Sequence, residues 1–109
     1  MLGLAYKPNV DDVRESPGIE VIEKLRALGA NVDYNDPHVP HTRKMRQHDL
    51  KLASVSLRPE SLRKYDSVII ITNHSAYDWQ LIAENARLIV DTRKVLVGVK
   101  GCRGHIVQA

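Results

Sequence analysis

The chain has 109 residues, which is enough for one domain with its own core and too few for two. Its 43% hydrophobic and 27% charged residues are close to globular averages, which argues against a disordered or fibrous chain. A net charge of +3 does not by itself indicate nucleic-acid binding, and no apolar run approaches the ~20 residues that cross a bilayer.

The first third of the sequence predicts a strand, a helix and a second strand. An apolar run at residues 1–6 predicts the first strand, and the polar residues 7–15 predict a loop. Ser16-Pro17 is typical of a helix start, apolar residues follow at helical spacing, and Gly29 is a typical C-terminal cap. Alternating residues 30–35 predict the second strand, so this segment should form a right-handed parallel βαβ unit.

The remaining two thirds continue to alternate strands and helices. The expected elements are a polar loop with at most a short helix at 38–51, a weak strand at 52–57, a short helix at 58–65, a doubly buried strand at 67–72, a helix at 75–86 and a strand at 87–91. The predicted fold class is therefore α/β, a Rossmann-like open parallel sheet of about five strands with flanking helices. Residues 97–109 form a glycine-containing tail whose structure the pattern leaves open.

A candidate binding site follows from this sheet, because ligands of open parallel sheets bind beyond the carboxyl ends of the strands. Tyr6 and Lys7 follow the first predicted strand, and Arg93 follows the last. Two cations and an aromatic ring suit an anionic ligand with a flat ring, such as a nucleoside phosphate or a nucleotide sugar. Solvated side chains without a ligand are the alternative interpretation. Other residues at strand ends are Asn35, Asp36, Asn73, His74, Asp91 and Thr92.

Other kinds of site have little support in the sequence. There is no G-x-G-x-x-G, P-loop or G-x-S-x-G pattern, and three nearby histidines (His38, His41 and His48) lack the further ligands of a metal site. The basic run at 41–48 has no interleaved aromatic residues, so we predict a solvated loop without nucleic acid. The lone cysteine, Cys102, excludes an internal disulfide. With no secretory signal at the N-terminus, we expect a cytoplasmic protein that does not bind membranes.

One segment carries a specific resemblance to a known family. Residues 3–17, GLAYKPNVDDVRESP, resemble the signature that opens the C-terminal, UDP-binding domain of the UDP-glucose/GDP-mannose dehydrogenase family. The resemblance continues through Asp36-Pro37, Asn73-His74-Ser75 and Asp91-Thr92-Arg93, and it covers about residues 2–96. We therefore assign residues 1–96 to a UDP-binding domain and residues 97–109 to the tail.

The resemblance implies an activity and roles for individual residues. Enzymes of this family oxidise the C6 alcohol of a sugar to a carboxylate in two NAD-dependent steps. Tyr6 and Lys7 would line the site of the uridine and diphosphate, and Arg93 would contact the substrate nucleotide. Arg14 would reach across a domain interface toward the NAD pyrophosphate. No residue of this chain is expected to be catalytic.

The resemblance also implies partners that this sequence does not contain. The family's NAD-binding domain and the central domain with its catalytic cysteine are missing, and Cys102 does not match that cysteine. We therefore expect the isolated chain to be inactive and the full-length enzyme to be a homo-oligomer. Two segments resemble those of dehydrogenases that act on UDP-N-acetylmannosamine or UDP-N-acetylglucosamine, namely Asn73-His74-Ser75 and Lys7-Pro8-Asn9. The alternative is a stand-alone nucleotide-binding or interaction module without catalysis.

Overall fold

The part of the chain that the structure describes contains both helices and strands. The computed structural model describes residues 1–14, 16–42, 50–102 and 104–109. Its elements are α1 (Pro17–Ala27), α2 (Pro59–Lys64), β1 (Val68–Ile70), α3 (Trp79–Asn85), β2 (Leu88–Asp91) and β3 (His105–Gln108). Among these residues, no helix has the length and apolar character needed to cross a membrane. The predicted α/β class is confirmed.

The strands form a parallel sheet in the order β1-β2-β3. Val68 lies opposite Ile89, which in turn lies opposite Ile106. The strands β1 and β2 fall within the predicted strands at 67–72 and 87–91, whereas β3 comes from the tail at 97–109. The buried side chains of β1 and β2 pack with Leu62 of α2 and Ile82 of α3 in one hydrophobic cluster.

The expected count of about five strands is not confirmed, because the predicted strand at 1–6 pairs at a single residue. Leu2 forms parallel bridges to both Asn35 and Ile70, so the segment does lie beside β1. Gly3 then takes a φ of +87°, outside the extended region. The next two amides donate to the carboxylate of Asp36 and not to a neighbouring strand. A side chain has therefore taken the hydrogen bonds that a longer strand would use.

The predicted strands at 30–35 and 52–57 also form only isolated β-bridges among the described residues. Asn35 forms the parallel bridge to Leu2, and the Val55 amide donates to the Tyr34 carbonyl over 2.9 Å. The other bridge in this region is antiparallel, between His41 and Ala53. These segments therefore border the three-stranded sheet without forming strands of their own. The loop expected at 38–51 lies partly outside the described residues, since 43–49 are not among them.

Helix α1 begins where the sequence predicts. The Ser16 hydroxyl accepts a hydrogen bond from the Gly18 amide over 3.2 Å and donates to the Leu4 carbonyl over 2.6 Å. Gly29 follows the C-terminal cap with a φ of +95°, as a glycine in that position does. Because Ser16 bonds both to the helix and to residue 4, it anchors α1 against the N-terminal segment. A second cluster packs there, formed by Leu4, Ala5, Ile19, Ile22, Tyr34, Val39 and Leu50.

Helix α3 is shorter than the predicted helix at 75–86. The carboxylate of Asp78 accepts a hydrogen bond from the Leu81 amide over 3.1 Å and caps a helix that begins at Trp79. Residues 75 and 76 form a turn ahead of it. That turn places Ser75 beside the carboxyl edge of the sheet, where the sequence predicts a binding site.

Candidate functional site

The carboxyl ends of three neighbouring segments meet at one edge of the sheet. The Thr72 hydroxyl, just beyond β1, donates to the Ala5 carbonyl over 2.7 Å. On the other side, Nε of Arg93 donates to the Ile71 carbonyl over 2.7 Å. Tyr6, which follows Ala5, and Arg93, which follows β2, therefore flank the end of β1 on the same edge.

The two candidates on the N-terminal side, Tyr6 and Lys7, are exposed. Half of the surface of Tyr6 is accessible to solvent, which is high for an aromatic ring and leaves it open to stacking. Their loop is closed by a hydrogen bond of 2.6 Å from the Tyr6 amide to the Asp12 carbonyl. The backbone therefore holds this loop at the sheet edge while both side chains remain in solvent.

Arg93 is held by a buried aspartate at the end of β2. The carboxylate of Asp91, which is fully buried, accepts hydrogen bonds of 3.0 Å from the amides of Arg93 and Leu96. Thr92 adds a bond from its hydroxyl to the Ile70 carbonyl over 2.6 Å. Together with the bond from Nε of Arg93 to Ile71, these contacts fix the guanidinium at the carboxyl edge.

Arg14 lies in the loop before α1 and pairs with a residue of the same loop. Its guanidinium makes a two-pronged contact with the Asp12 carboxylate, with distances of 3.1 Å from Nε and 2.9 Å from Nη2. Hydrogen bonds from the Arg14 side chain and amide lower the pKa of Asp12 to about 2. The Arg14 side chain is 82% exposed. A second anion would therefore meet an accessible guanidinium that already has a carboxylate partner.

The structure also reveals a buried pair that sequence reasoning placed only among residues at strand ends. Asp36 and His74 are both buried, and Oδ2 of Asp36 lies 2.8 Å from Nε2 of His74. The same oxygen accepts hydrogen bonds from the amides of Leu4 and Ala5, and Oδ1 accepts one from the His38 amide. Burial raises the pKa of Asp36, but these hydrogen bonds outweigh it and leave the pKa below its usual value.

A set of hydrogen bonds joins this pair to the exposed loop that carries Tyr6 and Lys7. The Asn9 amide donates to Nδ1 of His74 over 2.8 Å. The Asn9 side chain exchanges two hydrogen bonds with Ser75, one from its amide group to Oγ and one from the Ser75 amide to Oδ1. Both elements of this contact, Lys7-Pro8-Asn9 and Asn73-His74-Ser75, stand out in the sequence, but only the structure shows that they bind each other.

Concave surface is available beside the buried pair. Two open cavities, of about 310 and 260 Å³, are both lined by Asn35 and Pro37. Ser54 lines the first, and Tyr77 and Asp78 line the second. No group of three or more His, Cys, Asp or Glu side chains able to hold a metal ion occurs among the described residues. Tyr6, Lys7 and Arg93 line neither of these two cavities.

Comparison with known proteins identifies relatives of this domain. Residues 1–98 match the UDP-binding domain of the UDP-glucose/GDP-mannose dehydrogenase family. The chain is 33% identical over 101 residues to a putative UDP-glucose 6-dehydrogenase, YtcA, of Bacillus subtilis, covering 88% of this chain and 23% of that protein. It is 31% identical over 105 residues to a UDP-N-acetyl-D-mannosamine dehydrogenase of Pyrococcus horikoshii, covering 88% of this chain and 21% of that protein.

A solved structure shares the fold. The UDP-D-ManNAc dehydrogenase from Pyrococcus horikoshii superposes with a TM-score of 0.66 at 24% identity, over 97% of this chain and 24% of that one. The chain therefore spans about a quarter of the length of the relatives that it matches.

Proposed function

Because this chain belongs to the UDP-glucose/GDP-mannose dehydrogenase family and corresponds to its UDP-binding domain, we propose that its carboxyl edge holds the nucleotide of a UDP-sugar. The observation that carries the proposal is the placement of Tyr6, Lys7 and Arg93 around the end of β1. In this proposal Tyr6 and Lys7 line the site of the uridine and diphosphate. Arg93 contacts the nucleotide from the opposite side.

The charges at this edge support an anionic ligand. Lys7 offers a point charge on a flexible stem, and Arg93 offers a planar fork that can bind two phosphate oxygens at once. Among the described residues, the hydrogen bonds of the Arg93 guanidinium use Nε only, so both terminal nitrogens remain available. A diphosphate placed between these side chains would be held from two directions.

We further propose that the chain is part of a longer NAD-dependent enzyme that oxidises the C6 alcohol of a UDP-N-acetylhexosamine to a uronate. NAD would accept the hydride in each of the two oxidation steps. The accessible guanidinium of Arg14 fits one contact with the NAD pyrophosphate, and this sequence contains no dinucleotide fingerprint to hold the rest. The catalytic cysteine and most of the NAD site would therefore come from other domains of the longer protein.

The choice of sugar rests on the Asn9–His74–Ser75 contact, which joins the two segments that resemble dehydrogenases of UDP-N-acetylhexosamines. Relatives at about one third identity include dehydrogenases of UDP-glucose as well as of UDP-N-acetyl-D-mannosamine. The two classes of sugar are distinguished by comparing kcat/KM of the longer enzyme for UDP-N-acetylmannosamine, UDP-N-acetylglucosamine and UDP-glucose. A preference for UDP-glucose would contradict the proposed sugar and leave the nucleotide site intact.

The nucleotide site is tested by titrating UDP into the isotope-labelled chain and following backbone chemical shifts. We expect shifts at Tyr6, Lys7 and Arg93, and weaker binding for Lys7→Ala and Arg93→Ala. Arg14→Ala is the matched control, because it removes an exposed cation whose proposed partner is the dinucleotide. Shifts confined to residues 38–51, with Tyr6, Lys7 and Arg93 unmoved, would place the site elsewhere. Equal binding of unrelated nucleotides would favour the stand-alone module.

A further inference from the structure

The buried histidine of the site has a partner at each ring nitrogen. Nε2 of His74 lies 2.8 Å from Oδ2 of Asp36, and Nδ1 accepts the Asn9 amide over 2.8 Å. The ring has no solvent-accessible surface and packs against the rings of His38 and Tyr77, with centroids 4.6 and 5.8 Å away.

These contacts determine where the ring proton lies. A backbone amide can only donate, so Nδ1 must offer its lone pair to Asn9. The ring proton is then on Nε2 and is donated to Asp36. That carboxylate already accepts two amides at Oδ2 and one at Oδ1, which is the environment of an ionised group. The pair is therefore a neutral Nε2–H imidazole beside a carboxylate anion.

The same geometry argues against a direct chemical role for this pair. An aspartate hydrogen-bonded to a histidine resembles a general-base dyad, but such a base must reach its substrate with a free nitrogen lone pair. Here the remaining lone pair is occupied by a backbone amide, and the ring is closed to solvent. What His74 can do is hold the backbone that bonds to it.

The held backbone belongs to the loop that carries Tyr6 and Lys7. Asn9, two residues after Lys7, has a φ of +65°, in the left-handed region that asparagine adopts more readily than most non-glycine residues. The bond to His74 joins residues 65 apart in the sequence, and the two bonds to Ser75 reinforce it. The hydrogen bond from the Tyr6 amide to the Asp12 carbonyl closes the same loop.

We propose that His74 is a positioning residue whose Nδ1 lone pair fixes the Tyr6–Asp12 loop in the shape that presents Tyr6 and Lys7 to the nucleotide. This inference rests on the proposed nucleotide site and adds the group that sets its geometry. Asp36 acts on the loop through His74, because its carboxylate keeps the His74 proton on Nε2 and leaves Nδ1 as the acceptor.

Two substitutions separate the functions of the two ring nitrogens. In His74→Asn the side-chain oxygen can occupy the place of Nδ1, which preserves the acceptor for Asn9 and loses the donor to Asp36. In His74→Gln the side-chain amide can reach the place of Nε2, which preserves the donor to Asp36 and loses the acceptor for Asn9. Each variant loses one of the two hydrogen bonds made by the buried ring, so we expect similar losses of stability.

UDP binding should distinguish the two variants even though their stabilities are similar. We expect His74→Gln to weaken UDP binding about fivefold or more, the effect of losing one hydrogen bond that orders the loop, and His74→Asn to stay within about twofold of wild type. The Asn9 amide should exchange with solvent faster in His74→Gln only. Equal UDP affinities in all three chains, or losses that simply follow stability, would overturn the positioning role.

The tautomer of wild-type His74 provides a readout that does not depend on UDP. A proton–nitrogen correlation spectrum of the imidazole at neutral pH should show a protonated Nε2 and an unprotonated Nδ1. A proton on Nδ1, or an Asn9 amide without protection from exchange, overturns the inference even if neither variant folds. A wild-type chain whose shifts do not respond to UDP contradicts the proposed nucleotide site. In that case Asn9 exchange in His74→Gln still decides whether His74 holds the loop.

Discussion

Asp36 places an anion in the interior of the domain, and the surrounding donors make it stable there. An isolated buried carboxylate is costly, but this one accepts three backbone amides and the His74 ring. Those donors come from the N-terminal segment, from the residues after Asp36 itself and from beyond β1. One side chain therefore joins three segments at the edge where the proposed site lies.

Replacing Asp36 by asparagine should destabilise the chain strongly at neutral pH and much less in acid. Asparagine can turn its oxygen toward Leu4 and Ala5, but its NH₂ group then faces the His38 amide. The expected cost is about 2–4 kcal/mol at pH 7. The folded pKa of Asp36 is lowered, so its contribution is present above the unfolded pKa of about 3.9 and is lost as the pH falls through the folded pKa.

The measurement is urea unfolding of wild type and Asp36→Asn at pH 7 and at successively lower pH below about 4. Asp66→Asn is the control, because that side chain is fully exposed and should change stability by less than about 0.5 kcal/mol throughout. If the free energies of unfolding of wild type and Asp36→Asn differ by the same amount down to the lowest pH, Asp36 is not the source of this acid dependence.

Between the N-terminal segment and β1, the backbones approach so closely that only glycine fits. A Cβ on Gly3 would lie 2.4 Å from Cβ of Thr72 and 2.6 and 2.7 Å from its backbone oxygen and nitrogen. Thr72 cannot withdraw easily, because its hydroxyl bonds to the Ala5 carbonyl and its amide to the Leu2 carbonyl. The approach of these segments therefore depends on residue 3 having no side chain.

Gly3→Ala should reduce the free energy of unfolding by about 2–5 kcal/mol, because overpacking against Thr72 adds to the strain of a positive φ. Gly29→Ala isolates the second effect. Its φ of +95° is similar, but nothing lies within 4 Å of an added Cβ, so the expected loss is only about 1–2 kcal/mol. Urea unfolding of both variants gives the comparison. Equal losses would mean that the contact with Thr72 contributes nothing.

The elements that the sequence predicts best are those whose signals are local. Ser16, Pro17 and Gly29 mark the ends of α1 within a few residues of the helix itself. The strand expected at residues 1–6 is cut short because its amides bond to a carboxylate more than thirty residues away. The strand β3 has four residues, and only Ile106 among them is a half-buried apolar side chain, so no periodic pattern could indicate it.

The same distinction applies to the site. The rule that ligands bind at the carboxyl ends of parallel strands was sufficient to nominate Tyr6, Lys7 and Arg93. The roles of Asn9 and His74 depend on a contact between residues 65 apart in the sequence. Asparagine and histidine occur both on the surface and in the interior, so residue type alone does not predict that contact. The sequence therefore identifies candidate binding residues at strand ends, whereas the hydrogen bonds that position them are known only from the folded structure.

At the scale of the whole molecule, the proposed site would form one wall of a cleft completed by other domains of the longer protein. The chain spans about a quarter of the length of its relatives. Lys7 and Arg93 are exposed, so a phosphate bound to them here stays hydrated. Exposed ion pairs contribute little because water and salt screen them. The remaining contacts would come from other domains.

The isolated 109-residue chain should therefore bind UDP weakly and should not reduce NAD. We expect a Kd on the order of millimolar, about −4 kcal/mol, which weakens severalfold as salt rises from about 50 to about 500 mM. Binding is followed by the chemical shifts of Tyr6, Lys7 and Arg93, and turnover by NADH absorbance with NAD and each UDP-sugar. Absorbance should not rise above a control without protein, because the proposed hydride acceptor site and catalytic cysteine belong to other domains.

Micromolar affinity would show that this edge is a complete nucleotide site. Measurable turnover by the chain alone would contradict its proposed place in a longer enzyme.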